Sequence, residues 1–455
     1  YSLLAAQRAV DLLAFDEALS QLKTVEELMA DEIAISDEQH LLYLLISGRA
    51  LFETGKYQQA LSKLEKARKL AEAEDDRLSI INALILKAMC EERFGEYDAA
   101  YLSLTEARDY AKREDVDPTV FARIYRIYGV IHLQKGELRQ ALEYALKQLE
   151  KAKAAQSVYD ERLALLLLGS IYFEWDVHER AEQYFEEGLR LAPEDGDSLE
   201  PHFINNLGIL AFNRGDWDEA DSLYNRGLVI SRRLGDMYQQ TILLINRCEL
   251  QICRGQVDEA EKNLQTIAQL VTEMKSKDLT GHLKLNEGLL NIRKEKYQEA
   301  LNAFDTALSS FSEIEAKYSS AVAYAYRALA LVLLGRFEEA LQSIQQSEKL
   351  SKEADNKSNL AMVVGISAFA SYRLCKLQDA YRKIIECKRY YKRARRPFHE
   401  AMLSTLEALV MLKSGADRRI AFRRLDKAAA VFEQLGTVDL ELINDIKNAW
   451  KNRVN

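Results

Sequence analysis

The sequence predicts an all-α chain built as one long α-solenoid. Three observations predict it. Apolar positions recur at helical spacing and never settle into strand-type alternation. Only four prolines occur in 455 residues. A short motif also returns about every 40 residues along nearly the whole chain, which is the signature of a repeat array.

The motif is clearest as GDWDEA, ending at Ala220. Aligned on that alanine, copies end at Ala18, Ala60, Ala100, Ala141, Ala181, Ala260, Ala300, Ala340, Ala380 and Ala421, with spacings of 39 to 42. Other columns keep step. Twelve residues before the alanine stands a small residue: Ala6, Gly48, Ala88, Gly129, Gly169, Gly208, Cys248, Gly288, Ala328 or Ala368. Three before it stands a bulky one, such as Tyr57, Tyr97, Trp217, Tyr297 or Phe337. Four after it stands another, such as Leu64, Leu104, Phe185, Tyr224, Phe304 or Ile344.

These offsets place two helices on either side of a Gly-containing turn. A small residue is needed where the helices cross closely, and the bulky residue fills the wedge between them. Gly208, which costs a helix interior about 1 kcal/mol against alanine, therefore reads as a packing glycine. No pair buries both its faces alone, so the pairs must stack. The reading gives about eleven units starting near residues 1, 41, 81, 122, 162, 201, 241, 281, 321, 361 and 402 of one domain spanning 1–455. An amphipathic segment at 437–453, with Leu440, Ile443, Ile446 and Trp450, is expected to cap the last unit.

The column pattern of small residue, Gly-x-aromatic-x-x-Ala and bulky residue resembles the tetratricopeptide repeat family. The period of about 40 departs from the family's usual length of about 34 and is similar to the longer arrays of kinesin light chains, Rap-type bacterial regulators and the sensor domain of the maltose-regulon activator. The resemblance implies a right-handed superhelix whose first helices line a concave groove. It also implies a binding module and not an enzyme. A ligand cannot be named by fold analogy.

Fourteen residues before the key alanine lie Asn206, Asn246 and Asn286 in three consecutive units, a column the resemblance turns toward the groove. Side-chain amides offer a donor and an acceptor each, which suits the backbone of an extended peptide. The same amides would equally serve as ties between adjacent helices. Neighbouring groove candidates are Asn205, Asn213, His202, Phe212, Glu249, His282 and Arg293. Arg123 and Arg126, at nearby columns of an earlier unit, suit a carboxylate or a solvated surface.

Residues 373–396 are strongly basic and include Arg382, Lys383, Lys388, Arg389, Lys392, Arg393, Arg395 and Arg396. They fit a nucleic-acid or acidic-partner surface or a solvated outer face. The net charge of −9 argues against general nucleic-acid binding. Five scattered cysteines, an odd number, fit reduced thiols in a cytoplasmic setting. Long apolar runs are absent, so no membrane span is expected. Tyr1 opens directly onto an amphipathic pattern, and the chain reads as a domain cut from a longer one.

Phosphate-loop, HExxH, GxSxG and paired CxxC patterns are lacking, so neither catalysis, a metal nor a cofactor is expected. Asn356-Lys-Ser358 matches a glycosylation pattern that a cytoplasmic chain would not use. The leading expectation is a protein- or peptide-binding scaffold acting as the sensing or docking part of a larger regulator. Alternatives are a small-molecule effector sensor and, more weakly, nucleic-acid docking through 373–396.

Overall fold

The computed structural model describes residues 1–11, 14–30, 35–114, 116–193, 197–274, 276–314 and 316–451. Among these the chain is all-α, with 23 helices and no strand. It divides into two compact units, Tyr1–Ile171 and Tyr172–Asn455. The first unit contains α1 (Ser2–Asp11), α2 (Phe15–Ala30), α3 (Asp37–Glu53), α4 (Tyr57–Ala73), α5 (Arg77–Arg93), α6 (Tyr97–Ala111), α7 (Pro118–Gln134), α8 (Leu138–Ala154) and most of α9 (Val158–Glu174).

The second unit, beginning at Tyr172 within α9, holds α10 (His178–Arg190), α11 (Glu200–Arg214), α12 (Trp217–Leu234), α13 (Met237–Arg254), α14 (Val257–Met274), α15 (Lys277–Arg293) and α16 (Tyr297–Ser312). It continues with α17 (Lys317–Leu334), α18 (Phe337–Glu353), α19 (Lys357–Arg373), α20 (Leu377–Arg393), α21 (Pro397–Lys413), α22 (Arg418–Leu435) and α23 (Asp439–Lys451). No helix among the described residues is long and apolar enough to cross a membrane. The expected capping segment appears as α23, whose Ile443 is fully buried among Leu425, Ala428 and Phe432. Residues 452–453 of that expectation lie outside the described residues.

Local chemistry starts and stops these helices. Twenty-four residues before the repeat alanine a short polar side chain caps the first helix of a pair. Ser36 accepts from Gln39 N, Asp76 from Ser79 N, Asp236 from Gln239 N and Asn356 from Asn359 N, satisfying N–H groups that the helix leaves orphaned. The turn within a pair needs a left-handed residue. Glycine supplies it at Gly55, Gly95, Gly136, Gly215, Gly255 and Gly335, while Asp176, Glu295 and Cys375 hold the same conformation with φ near +58°.

The repeat alanines from Ala18 to Ala421 are at most 1% exposed, which is what close helix contact requires. A Cβ built on Gly48 would lie 2.5 Å from Leu64, on Gly208 2.5 Å from Tyr224, and on Gly288 2.2 Å from Phe304. In each case the small residue receives the bulky residue four places after the alanine, as the columns predict. A second small column, seven after the alanine, admits the next pair. A Cβ on Gly188 would lie 2.2 Å from Phe203, and one on Gly227 2.8 Å from Leu243.

Within the second unit, segments distant in sequence also meet. Arg293 on α15 grips Asp439 on α23 with two hydrogen bonds, 2.7 and 2.9 Å, and donates to the Ile252 and Cys253 carbonyls. Thr437 donates to the Cys253 carbonyl at 2.8 Å. Tyr390 donates to Asp176 at 2.8 Å, and Trp217 packs on Phe398 with ring centroids 5.3 Å apart. Together these contacts bring α20 to α23 against the turns that follow α9, α11, α13 and α15.

Two stability predictions follow from this packing. Gly288→Ala gains about 1 kcal/mol of helix propensity but forces a methyl into the buried Phe304 ring, at a cost of about 1–3 kcal/mol. The expected net loss in urea denaturation is partly recovered by adding Phe304→Leu. Gly365→Ala is the contrast: its Cβ would meet only Leu403, at 3.6 Å, and it should be neutral or stabilising. Second, Asp439→Ala strands the mostly buried Arg293 guanidinium and should cost about 3 kcal/mol. The double change Arg293→Met/Asp439→Leu should recover much of that loss, and a single variant as stable as the parent would show that the grip contributes nothing.

Candidate functional site

The clearest candidate is a polar cavity of about 110 Å³ in the second unit. Phe173, Glu174, Asp176 and Asn213 line it from the C-terminal ends of α9 and α11. Tyr318, Asn356, Lys357, Ser358 and Arg396 line it from the N-terminal ends of α17, α19 and α21. Negative helix ends thus face positive ones across the cavity, and the side chains carry the same polarity.

Burial, reinforced by Asp176 and opposed by Arg396, pushes the Glu174 carboxyl up to about 7. Arg396 Nη1 donates to Ser358 Oγ at 2.7 Å. Its Nε, and Nδ2 of Asn356, are buried without a protein hydrogen-bond partner, an arrangement that calls for an acceptor. Around this cavity burial raises Tyr390 and lowers His178. Burial, with the nearby charge of Arg396, lowers the half-buried His399 to about 3. The cavity can therefore donate from one wall and exchange a proton on the other.

Asn213 and Arg396 are the sequence-predicted residues brought into this cavity. The asparagine column divides. Asn246 Nδ2 donates to Asn205 Oδ1 at 2.8 Å, and Asn286 Nδ2 donates to the Ile245 carbonyl at 2.9 Å. With Asn205 and Asn286 buried, these amides tie adjacent first helices, and the physical reason is plain: a buried amide takes the nearest backbone or amide partner. Asn206 is half-buried, with no hydrogen bond to protein among the described residues.

Arg293 is likewise committed, to Asp439. Phe212 stacks on Trp217 at 5.8 Å, and its carbonyl accepts from Trp217 Nε1. Glu249 is half-buried, and burial raises its carboxyl. His282 lies 3.7 Å from Asp278 and edge-on to Phe311, while His202 sits half-buried on α11. Arg123 and Arg126 belong to the first unit, where Arg123 donates to Asn82 at 3.3 Å.

The basic stretch does not form one face. Lys388 turns inward to the fully buried Glu407 at 2.7 Å, joined there by Arg424 at 3.1 Å. Arg382 and Lys383 pair with Asp379, and Arg395 with Glu179. Arg389, Lys392 and Arg393 remain exposed on α20. Among the described residues no group of three or more His, Cys, Asp or Glu is placed to hold a metal ion.

Sequence reasoning missed Glu174, Asp176, Tyr318 and the role of Asn356. Two signals were present. Asp176 stands in a column otherwise dominated by glycine, and Asn356-Lys-Ser358 drew notice only as a glycosylation pattern. With Asn356 only 5% exposed, its amide is buried beside the cavity and closed to a glycan.

The pH dependence of stability tests the Glu174 environment. A carboxyl raised in the folded state keeps its proton there while the unfolded chain has lost it, so stability falls as pH rises from about 4.5 to about 7. The span corresponds to roughly 3 kcal/mol. Subtracting the urea-derived stability profile of Glu174→Gln from that of the parent should isolate this slope, and superimposable profiles would refute it.

A tetratricopeptide repeat model matches residues 164–195, the 26S proteasome subunit RPN7 model residues 202–338, and the anaphase-promoting complex subunit 5 model residues 44–133. No curated protein matches significantly. A Rap protein complexed with competence and sporulation factor shares the fold at 12% identity and a TM-score of 0.59, covering 78% of this chain and 98% of its own. The Rap conjugation gene regulator of plasmid pLS20, in complex with the Phr* peptide, aligns at 12% identity and 0.52, covering 78% and 95%. The apo quorum sensor NprR from B. thuringiensis aligns at 15% and 0.53, covering 77% and 97%. Repeat columns and helix-pair packing agree with the matched model: residues 164–195 form a tetratricopeptide-type repeat, and the chain shares the fold of these solved structures.

Proposed function

We propose that the chain is a non-catalytic peptide-binding domain, and that the cavity of the second unit holds one end or one side chain of the bound peptide. The observation that carries this is the pair of buried, unpartnered donors, Asn356 Nδ2 and Arg396 Nε, on residues that line the same cavity as Glu174. A chain end or side-chain amide has both the acceptors and the donors these walls require. The fold supports the reading, because a Rap regulator sharing it is recorded with a peptide bound.

A second reading, a small zwitterionic effector, is favoured by the modest size of the cavity alone. Both place the ligand on the same residues. They differ in whether anything extends beyond the cavity.

The test is a pool of short synthetic peptides screened by thermal shift and fluorescence polarisation, beside a panel of small metabolites. A peptide recovered from the pool is expected to lose about tenfold or more in affinity, or about 1.4 kcal/mol, with Arg396→Met and with Asn213→Ala. Circular dichroism should show both variants folded. Metabolite binding without any peptide binder would favour the effector, and a binder indifferent to both substitutions would remove the cavity from the site.

A further inference from the structure

We infer that the first unit carries a separate oxyanion site, built from Arg123 and Arg126 with Arg49 and Arg93, that takes the carboxylates of an acidic polypeptide segment. This goes beyond the peptide reading of the second unit and does not depend on it.

Arg123 and Arg126 stand three residues apart on α7 and so share a helix face. Arg123 Nη1 reaches Asn82 on α5 at 3.3 Å, and Arg126 Nη2 lies 3.9 Å from the Met89 sulfur on α5. Neither has a carboxylate partner among the described residues. Half-buried arginines of the second unit behave otherwise: Arg247 pairs with Asp221 at 2.8 Å, Arg327 with Asp305 at 2.6 Å, and Arg293 with Asp439.

Like charges crowd the pair. Burial, with Arg49 and Arg126, lowers Arg123 to about 10, and burial with Arg93 and Arg49 lowers Arg126. Of the acids in the neighbourhood, Glu53 pairs with Arg49 at 2.6 Å and Glu92 with Arg93 at 3.7 Å, while Asp160, which also accepts from Ser157 at 2.6 Å, offsets only part of the effect of burial and like charge on Arg123.

Burying two unpaired guanidiniums together destabilises a fold, and an apolar side chain of similar length would serve packing better. A ligand that supplies negative charge reverses the sign. Each guanidinium fork matches one carboxylate bidentately. Arg49 and Arg93, 35% and 51% exposed, offer a solvent-facing rim through which a flexible segment reaches the inner pair. A nucleic acid would bring dense charge against a chain of net charge −9, so discrete carboxylates suit the site better.

The test uses the full chain, a fluorescein-labelled oligoglutamate peptide and its oligoglutamine counterpart, read by polarisation at low salt. Oligoglutamate is expected to bind and oligoglutamine not to; equal binding of the two overturns the proposal. Arg123→Gln/Arg126→Gln should weaken oligoglutamate at least tenfold, whereas the same charge loss at exposed Lys66→Gln/Lys69→Gln should change it less than twofold. Comparable losses in both double variants would mean diffuse electrostatics and overturn the site.

Inorganic phosphate that competes as well as the peptide would assign a phosphate site and overturn the polypeptide. Arg126→Met supplies a readout that a structural arginine would not give, because it should raise the melting temperature while weakening the peptide. A lowered melting temperature would make the arginine structural and sink the inference.

Discussion

Close approach of paired helices is the constraint on which everything else depends. Each repeat alanine is sealed, and each opposing glycine or alanine leaves a hole shaped for one side chain from the partner helix. The penalty of a glycine inside a helix is small beside the burial of a Tyr224 or Phe304 in the hole it leaves. With the crossing fixed in this way, the direction of each successive pair follows, and so does the face that each first helix presents. Functional side chains are therefore placed by a rule that concerns only methyl groups and rings.

Much of this rule was legible in the sequence because it is periodic. The alanine, glycine and aromatic columns recur at one spacing, and so do two further columns that the structure brings out: the polar cap twenty-four residues before the alanine and the small residue seven after it. The cavity was not legible in the same way. Glu174, Tyr318 and Arg396 are at least 78 residues apart and occupy different columns, so no periodic pattern relates them. Asn213 was found because it lies beside a repeated column, and Asn356 was noticed for a motif unrelated to its position.

The asparagine column shows why a chemically sound expectation can have two structural answers. An amide pairs as readily with a neighbouring helix as with a peptide. The choice turns on burial, which a single sequence does not contain. Asn286 is sealed beneath the backbone it bonds, whereas Asn206, fourteen residues before its own alanine like the others, stays partly open. The arginines divide in the same manner. Arg293 found a carboxylate on α23, while Arg123 and Arg126 face each other's charge.

The grip of Arg293 on Asp439 has a consequence for how the second unit comes apart. A simple stack of repeats couples only nearest neighbours, so its ends fray and its middle can open piecemeal. Joining α15 to α23 closes a loop of more than a hundred residues, and the intervening pairs can no longer melt one by one without straining that closure. Such a unit unfolds more nearly as a single body. It also folds more slowly than its local helices would suggest, because the loop must close before the ion pair rewards it.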